Sequence, residues 1–266
     1  RNVLSMTKLT MNKMTIAVMV FLFVPGTLLL YFSPDVLTLA FIAVMVLLCA
    51  VGTIIALLPL IRYGVGFHEA YQRIEHLRAV QSDELWGALF RSESLFQVPD
   101  MDDIFYDYKL TVEKEKREQK AEQLDLEDLL SAQYIDLRTW KGVVQQIPNT
   151  QTGIGILGTF VGLLAGIGNI GFSSAETVVT SVQSLLSGIN IAFYTSIAGV
   201  IFSILFNIAY KTILNMVRRE MELFYREFHT YVRRRAEDVE KERQHIFQKE
   251  VLDYLHDMRE RELLNL

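Results

Sequence analysis

Apolar and charged residues separate into long blocks along this chain. Thr15 to Phe32 is a run of 18 uncharged, mostly apolar residues, and Val36 to Ile61 is a run of 26 without a charge. Ser33-Pro34-Asp35 is all that separates them. A helix needs roughly 20 apolar residues to cross the hydrocarbon of a bilayer, so the pattern predicts a tight transmembrane hairpin over 15–61. Pro25-Gly26 predicts a kink in its first helix, tolerable where neighbouring helices pack against it. From Arg62 charges return at helical spacing among Ala70, Ile74 and Leu77, which predicts a helical, water-facing domain over 62–147. Within it Pro99-Asp100 reads as a helix start, Val112 to Gln123 is almost wholly charged or amide-bearing, and Leu124 to Val144 is amphipathic.

Pro148-Asn149 punctuates the chain before its longest apolar region. No formal charge appears from Gly142 to Ala175 or from Thr177 to Tyr210, with Glu176 alone between the two runs. As helices, at about 1.5 Å per residue, each would be near 50 Å long and would project beyond a core of about 30 Å. Residues 173–177 are the expected turn. After Lys211 the chain reads as a charged helix. Val217, Met221, Phe224, Phe228 and Tyr231 follow a 4-3-4-3 spacing that Phe247, Val251, Tyr254 and Met258 repeat, with a break at Arg233-Arg234-Arg235. Such a seam fits either docking on the chain's own cytoplasmic domain or a coiled coil between copies.

The predicted fold class is therefore all-α: a polytopic membrane protein with four transmembrane helices, a helical cytoplasmic domain and a long C-terminal cytoplasmic helix. Its divisions fall at 1–14 (cytoplasmic N-terminus), 15–61 (hairpin), 62–147 (cytoplasmic domain), 148–211 (second pair of spans) and 212–266, a helical tail that the pattern does not terminate. Lys and Arg flank the membrane before Thr15, after Ile61 and after Tyr210, and neither short turn carries any. The positive-inside rule then places both termini and residues 62–147 in the cytoplasm.

Composition narrows the chemistry. A hydrophobic share of 51% fits a membrane protein, and a mixed net charge of −5 offers no basic field for direct nucleic-acid binding. Cys49 is the one cysteine, so neither a disulfide framework nor a cysteine-rich metal site can be built. The five histidines, His68, His76, His229, His245 and His256, form no ligand-spaced pair and are expected on solvated helix faces, with no metal and no cofactor. No glycine-rich loop ends in Lys-Ser/Thr, so ATP is not the expected energy source. Asp102-Asp103 and Glu127-Asp128 are adjacent acids suited to helix starts. Trp86 and Trp140 are expected to pack in the cytoplasmic domain, and Arg91 and Glu93 to be available to an effector. No nucleophile or acid/base pair supports an enzyme.

Two short runs stand out in the apolar region: Gly155-Ile156-Leu157-Gly158-Thr159-Phe160-Val161-Gly162 and Ala192-Phe193-Tyr194-Thr195-Ser196-Ile197-Ala198-Gly199. Gly155, Thr159, Gly162 and Gly166 fall on one helix face, the small-residue pattern by which membrane helices approach closely. Counted from the turn at 173–177, Thr159 and Ser196 lie about 21 and 28 Å deep, in the same half of the membrane. With Thr195 they make a hydroxyl cluster on a small-residue surface, suited to coordinating a cation or holding a short water wire. Yet no Asp, Glu, Lys, Arg or His lies in any predicted span. Ion carriage across hydrocarbon normally uses an ionisable side chain, so that group must come from another chain.

The first run resembles the GLxGTxxG motif of the MotA/TolQ/ExbB proton-channel family, and the second resembles its paired ALxxTxxG motif. The resemblance covers about 60 residues, 152–211, in order and spacing. Four spans with a cytoplasmic domain between the second and third resemble the flagellar-stator branch, since TolQ and ExbB have three. The long helix after Lys211 is similar to the extended tail of motors of the Zorya anti-phage system. The resemblance implies an inner-membrane homo-pentamer around a dimer of a single-span MotB/TolR/ExbD-like partner, whose membrane aspartate carries the ion while one component turns against the other. It implies that Thr159 and Ser196 face that aspartate with Thr195 nearby, and that Gly155, Gly158, Gly162, Gly166 and Gly199 pack the helices. Ser196 stands where the family usually has Thr, and Thr152 stands where a proline is common. The Thr195-Ser196 tandem is similar to sodium-driven members, so H+ and Na+ both remain open as the transported ion. A rival from another class is a membrane-anchored scaffold or signalling protein, indifferent to these hydroxyls.

Overall fold

The computed structural model describes residues 2–31, 35–78, 89, 92, 94–118, 125–168, 171, 175–233, 247–248 and 251. Every regular element among them is helical. Helix α1 (Asn2–Tyr31) continues through Pro25. Helix α2 (Val36–Gly52) passes through a π-helical turn, Thr53–Leu57, directly into α3 (Leu58–Arg78). The apolar hairpin and the charged region that follows it are thus joined by one unbroken helical rod. The wider turn falls where Gly52 is tightly covered: a Cβ there would come 2.5 Å from Ile147 and 2.6 Å from Phe206.

The amphipathic run 124–144 is not one helix. It divides into α5 (Leu126–Leu129), α6 (Ala132–Arg138) and α7 (Lys141–Val144). Asp125 caps the first through Glu127 N–H, and Ser131 caps the second through Tyr134 N–H. Trp140 adopts a left-handed backbone (φ 50°) before the third. Two capping side chains and a left-handed residue interrupt a pattern whose apolar spacing alone reads as continuous. Trp140 departs from expectation in a second way: it is 64% exposed rather than packed in the domain. Helix α4 (Pro99–Glu118) begins where Pro99-Asp100 predicts. Asp102 in its first turn accepts hydrogen bonds from Leu95 N–H and Phe96 N–H, each 2.8 Å.

Helix α8 (Ile147–Ile167) has 21 residues, and α9 (Ala175–Glu227) has 53. The expectation of two helices near 50 Å fails for the first. Pro148 sits in the opening turn of α8, and Gly142 to Gln145 belong to α7 and its end. At about 1.5 Å per residue α8 is roughly 31 Å long, a bilayer core's thickness, whereas α9 reaches roughly 80 Å and projects well beyond it. Three helical stretches are long and apolar enough to cross a membrane, Val36–His76, Leu126–Ile167 and Glu176–Thr230, while Thr15–Leu29 in α1 is apolar but shorter. The predicted count of four spans thus rests on that short first stretch.

One continuous core joins the apolar spans to the charged helical part beyond them. In the membrane part, Phe202 and Phe206 of α9 lie buried; Phe202 meets Gly26 of α1, and Phe206 meets Gly52 of α2. Beyond the spans, Phe67 of α3, Phe96, Phe105 of α4, Phe224 of α9 and Phe228 of the π-helical segment that continues it (Phe228–Arg233) form an aromatic cluster, with Phe96 and Phe224 centred 5.1 Å apart. Tyr225 donates to the Leu130 carbonyl at 2.8 Å. The seam through Val217, Phe224 and Phe228 is therefore docked on helices of the chain's own 62–147 region. The expectations for Trp86, Arg91, Glu93, His245, His256, Arg234 and Arg235 lie outside the described residues, as do the side chains of Tyr231, Tyr254 and Met258 and most of the turn at 173–177. Phe247 and Val251 are exposed.

Candidate functional site

Helices α8 and α9 run antiparallel and meet along a glycine seam. A Cβ on Gly155 would lie 3.1 Å from the Thr195 carbonyl oxygen and 3.2 Å from Gly199 Cα. On Gly162 it would lie 2.8 Å from both Ala192 N and the Gly188 carbonyl oxygen, and on Gly166 3.2 Å from Gly188 Cα. Gly199 answers from the other side, where a Cβ would come 2.7 Å from the Gln151 carbonyl oxygen and 2.9 Å from Gly155 Cα. These neighbours are backbone atoms, which no side-chain rotation can move. Close backbone approach is what small residues contribute between membrane helices, where apolar burial gives no drive of its own.

The seam's centre line is Gly155, Gly158, Gly162 and Gly166, all buried. Thr159 stands on its flank, half-buried. Its hydroxyl lies 3.1 Å from the Gly155 carbonyl one turn back and 3.3 Å from the Ala192 carbonyl across on α9, so it can donate within its own helix or between helices. Ser196 is also half-buried, and its Cα lies beside Gly155 (3.4 Å from the position of a Cβ there). Thr195 is different. It is fully buried, its hydroxyl donates to the Ile191 or Ala192 carbonyl at 2.9 and 3.1 Å, and it fills the space that a side chain on Gly158 would occupy. The hairpin thus brings Thr159 and Ser196 to one seam, with Thr195 packed inside it.

Two residues at this contact escape a reading by motif. Gly188 is the tightest position of the seam, since a Cβ there would come 2.4 Å from the Gly162 carbonyl oxygen. Its place four residues before Ala192 was the available signal. Gln151 is fully buried against α2; its Nε2 donates to Cys49 Sγ at 2.9 Å, and its Oε1 meets no hydrogen-bond partner. Its place four residues before Gly155, on the face of the glycine seam, was the available signal.

Outside the membrane the expected solvated histidines are partly engaged. His68 Nδ1 lies 2.9 Å from Glu220 Oε2, and His229 Nε2 lies 3.1 Å from Glu127 Oε2. Among the described residues no three His, Cys, Asp or Glu side chains gather as a metal site.

Two Escherichia coli proteins named Zorya protein ZorA are similar to the chain. The one from the Crooks strain is 40% identical over 79 residues, 29% of this chain and 14% of that protein. The one from an ETEC strain is 24% identical over 159 residues, 56% of this chain and 22% of that protein. The matched regions therefore span less than a quarter of the length of either relative. A family match extends over residues 98–226, reaching beyond the two motif runs into α4 and the charged C-terminal half of α9. Across those residues, glycine seam and flanking hydroxyls included, the chain carries a domain of the MotA/TolQ/ExbB proton channel family.

Proposed function

We propose that this chain is the ion-conducting subunit of a motor powered by an ion gradient, of the kind to which the Zorya proteins belong. Five copies would surround a dimer of a single-span partner in a bacterial inner membrane, with both termini of this chain cytoplasmic. Thr159 and Ser196 line the path, Thr195 holds the seam behind them, and an aspartate of the partner supplies the titrating group that these spans lack. H+ is the first candidate for the ion and Na+ the alternative. The motor would serve defence against phage; a flagellar-type or TolQ/ExbB-type transducer is the nearest other use of the same parts.

The observation that carries this reading is the placement of Thr159 and Ser196 on the flank of the glycine seam, where Thr159 already reaches an α9 carbonyl. An anchor needs neither the close approach nor the hydroxyls. Hydroxyl and carbonyl oxygens can replace part of a cation's hydration shell or hold a water wire to a neighbouring carboxylate. Thr159→Val and Ser196→Ala, each expressed with the partner and tested for ion-driven activity, decide between the readings. Both should lower activity at least about tenfold, the consequence of roughly 1.4 kcal/mol lost in the limiting step. Full activity in both variants, at normal expression, would return the chain to the scaffold class.

A further inference from the structure

The antiparallel register of α8 and α9 repeats the hydroxyl pair one heptad nearer the cytoplasm. Gly155 meets Gly199 and the Ser196 backbone, and Gly162 meets Ala192 and Gly188. Seven residues forward on α8 thus correspond to seven residues back on α9. Applied in the other direction to Thr159 and Ser196, the same step arrives at Thr152 and Ser203. Seven residues turn a helix through nearly two full turns and advance it about 10 Å, so the second pair occupies nearly the same side of the hairpin as the first. The contact of Gly199 with the Gln151 carbonyl oxygen shows that the seam continues to this level.

The two pairs share their local chemistry. Thr159 and Thr152 are both half-buried and both lie within hydrogen-bond distance of the carbonyl four residues back, at 3.1 Å to Gly155 and 3.2 Å to Pro148. Ser196 and Ser203 are both half-buried and make no hydrogen bond to a described residue. Between the pairs the exposed α9 side chains are apolar, Ile197 and Val200, so the hydroxyls are discrete steps rather than part of a generally polar face. One turn beyond Ser203, Asn207 is half-buried, and Lys211 one turn further is exposed. Oxygen-bearing side chains therefore run from the first pair toward the cytoplasmic end of the spans, without a charge among them.

We propose that Thr152 and Ser203 form a second hydroxyl rung, the cytoplasmic exit of the ion path, which receives the cation or its hydrated proton from the Thr159/Ser196 level and passes it toward Asn207. This rests on the proposed ion path, and the test separates the two. Vesicles carrying the chain with its partner subunit, under an imposed membrane potential, are assayed for proton uptake with a pH-sensitive dye and for radiolabelled sodium uptake. Thr152→Val with Ser203→Ala should lower uptake of the conducted ion about tenfold. Thr152→Ser with Ser203→Thr should keep it near the parent value. The probe that responds identifies the ion. If the inner pair can be removed without loss while Thr159→Val with Ser196→Ala abolishes uptake, the second rung is refuted and the proposed function stands. If both removals leave uptake intact, the ion path fails and the rung with it.

Labelling supplies a readout independent of transport. Cys49 is buried and should stay unreactive. With a charged, membrane-impermeant thiol reagent on the cytoplasmic side, Ser203→Cys should react, whereas Ile204→Cys, on the exposed apolar face, should not. Equal protection of both, or reaction at Ile204→Cys alone, would overturn a water-lined exit at Ser203.

Discussion

Gly188→Ala is the sharpest test of how the two core helices are held. The added Cβ would stand 2.4 Å from the Gly162 carbonyl oxygen and 2.7 Å from Gly166 Cα, against ordinary contact at 3.4 Å or more. Both neighbours are backbone of α8, so relief requires the helices to part by about 1 Å, the difference between 3.4 and 2.4. A gap of that size forfeits roughly a quarter to a half of the dispersion attraction along the seam. Overpacking of this kind costs roughly 1–3 kcal/mol, and an immovable backbone partner puts this case near the top, about 3. Replacing a mid-helix glycine by alanine returns about 1 kcal/mol of helix propensity. The net is about 2 kcal/mol, or roughly 4 to 8 °C in the midpoint of thermal unfolding for a chain of this size. Gly153→Ala is the control. It lies in α8, the other helix of the seam, with nothing within 4 Å of a Cβ, so it should gain the propensity term alone and melt roughly 2 to 4 °C higher. Thermal melts of the detergent-solubilised protein compare the two. If Gly188→Ala melts with or above Gly153→Ala, the close approach of α8 and α9 is not what stabilises them.

Phe224→Ala should remove the hub of the aromatic cluster, where the ring is fully buried and centred 5.1 to 5.7 Å from Phe96, Phe228 and Phe67. A loss of about 3–5 kcal/mol is expected, read as faster amide exchange in α3 and α4; unchanged exchange would contradict the docking of the tail helix. Tyr225→Phe leaves the Leu130 carbonyl without its hydroxyl donor and should cost about 1–3 kcal/mol, measured by denaturant titration of the same region. Burial holds the Asp102 carboxyl above its usual range, although hydrogen bonds from Phe96 and Leu95 and the charge of Arg73 act to lower it. The folded state therefore binds this proton more tightly than the unfolded state. The contribution of Asp102 to stability is full below the ordinary carboxylate range and is lost as pH rises through the raised folded value. Asp102→Asn keeps the accepting oxygen and should flatten that part of the pH profile of melting. An identical slope in both proteins would show that the carboxyl is not perturbed.

Much of this fold was legible before any coordinates. The charge-free blocks announced the spans because hydrocarbon excludes unpaired charge regardless of how helices pack, and Pro99-Asp100 marked a helix start through local backbone chemistry alone. The amphipathic run 124–144 was legible as helical but not as three separate helices, because apolar periodicity does not register a break. Capping at Ser131 and the left-handed Trp140 ended helices that the spacing carries on. The 4-3-4-3 seam of the tail left its partner open, since an apolar stripe fits a second copy as well as the chain's own domain. Packing of Phe224 against Phe67 and Phe96 decided it.

At the core hairpin the division is similar. Composition and spacing determined that two apolar runs with paired glycines and hydroxyls are suited to the membrane and carry no Asp, Glu, Lys, Arg or His, because those are properties of residue type and of one helix at a time. Which glycines are obligatory was decided only by the tertiary structure. Gly188 and Gly199 are constrained by α8 backbone atoms, and Thr195 is turned into the seam while Thr159 and Ser196 stand at its edge. The relative rotation and register of two helices follow from contacts between residues distant in sequence, and no pattern within either helix contains them.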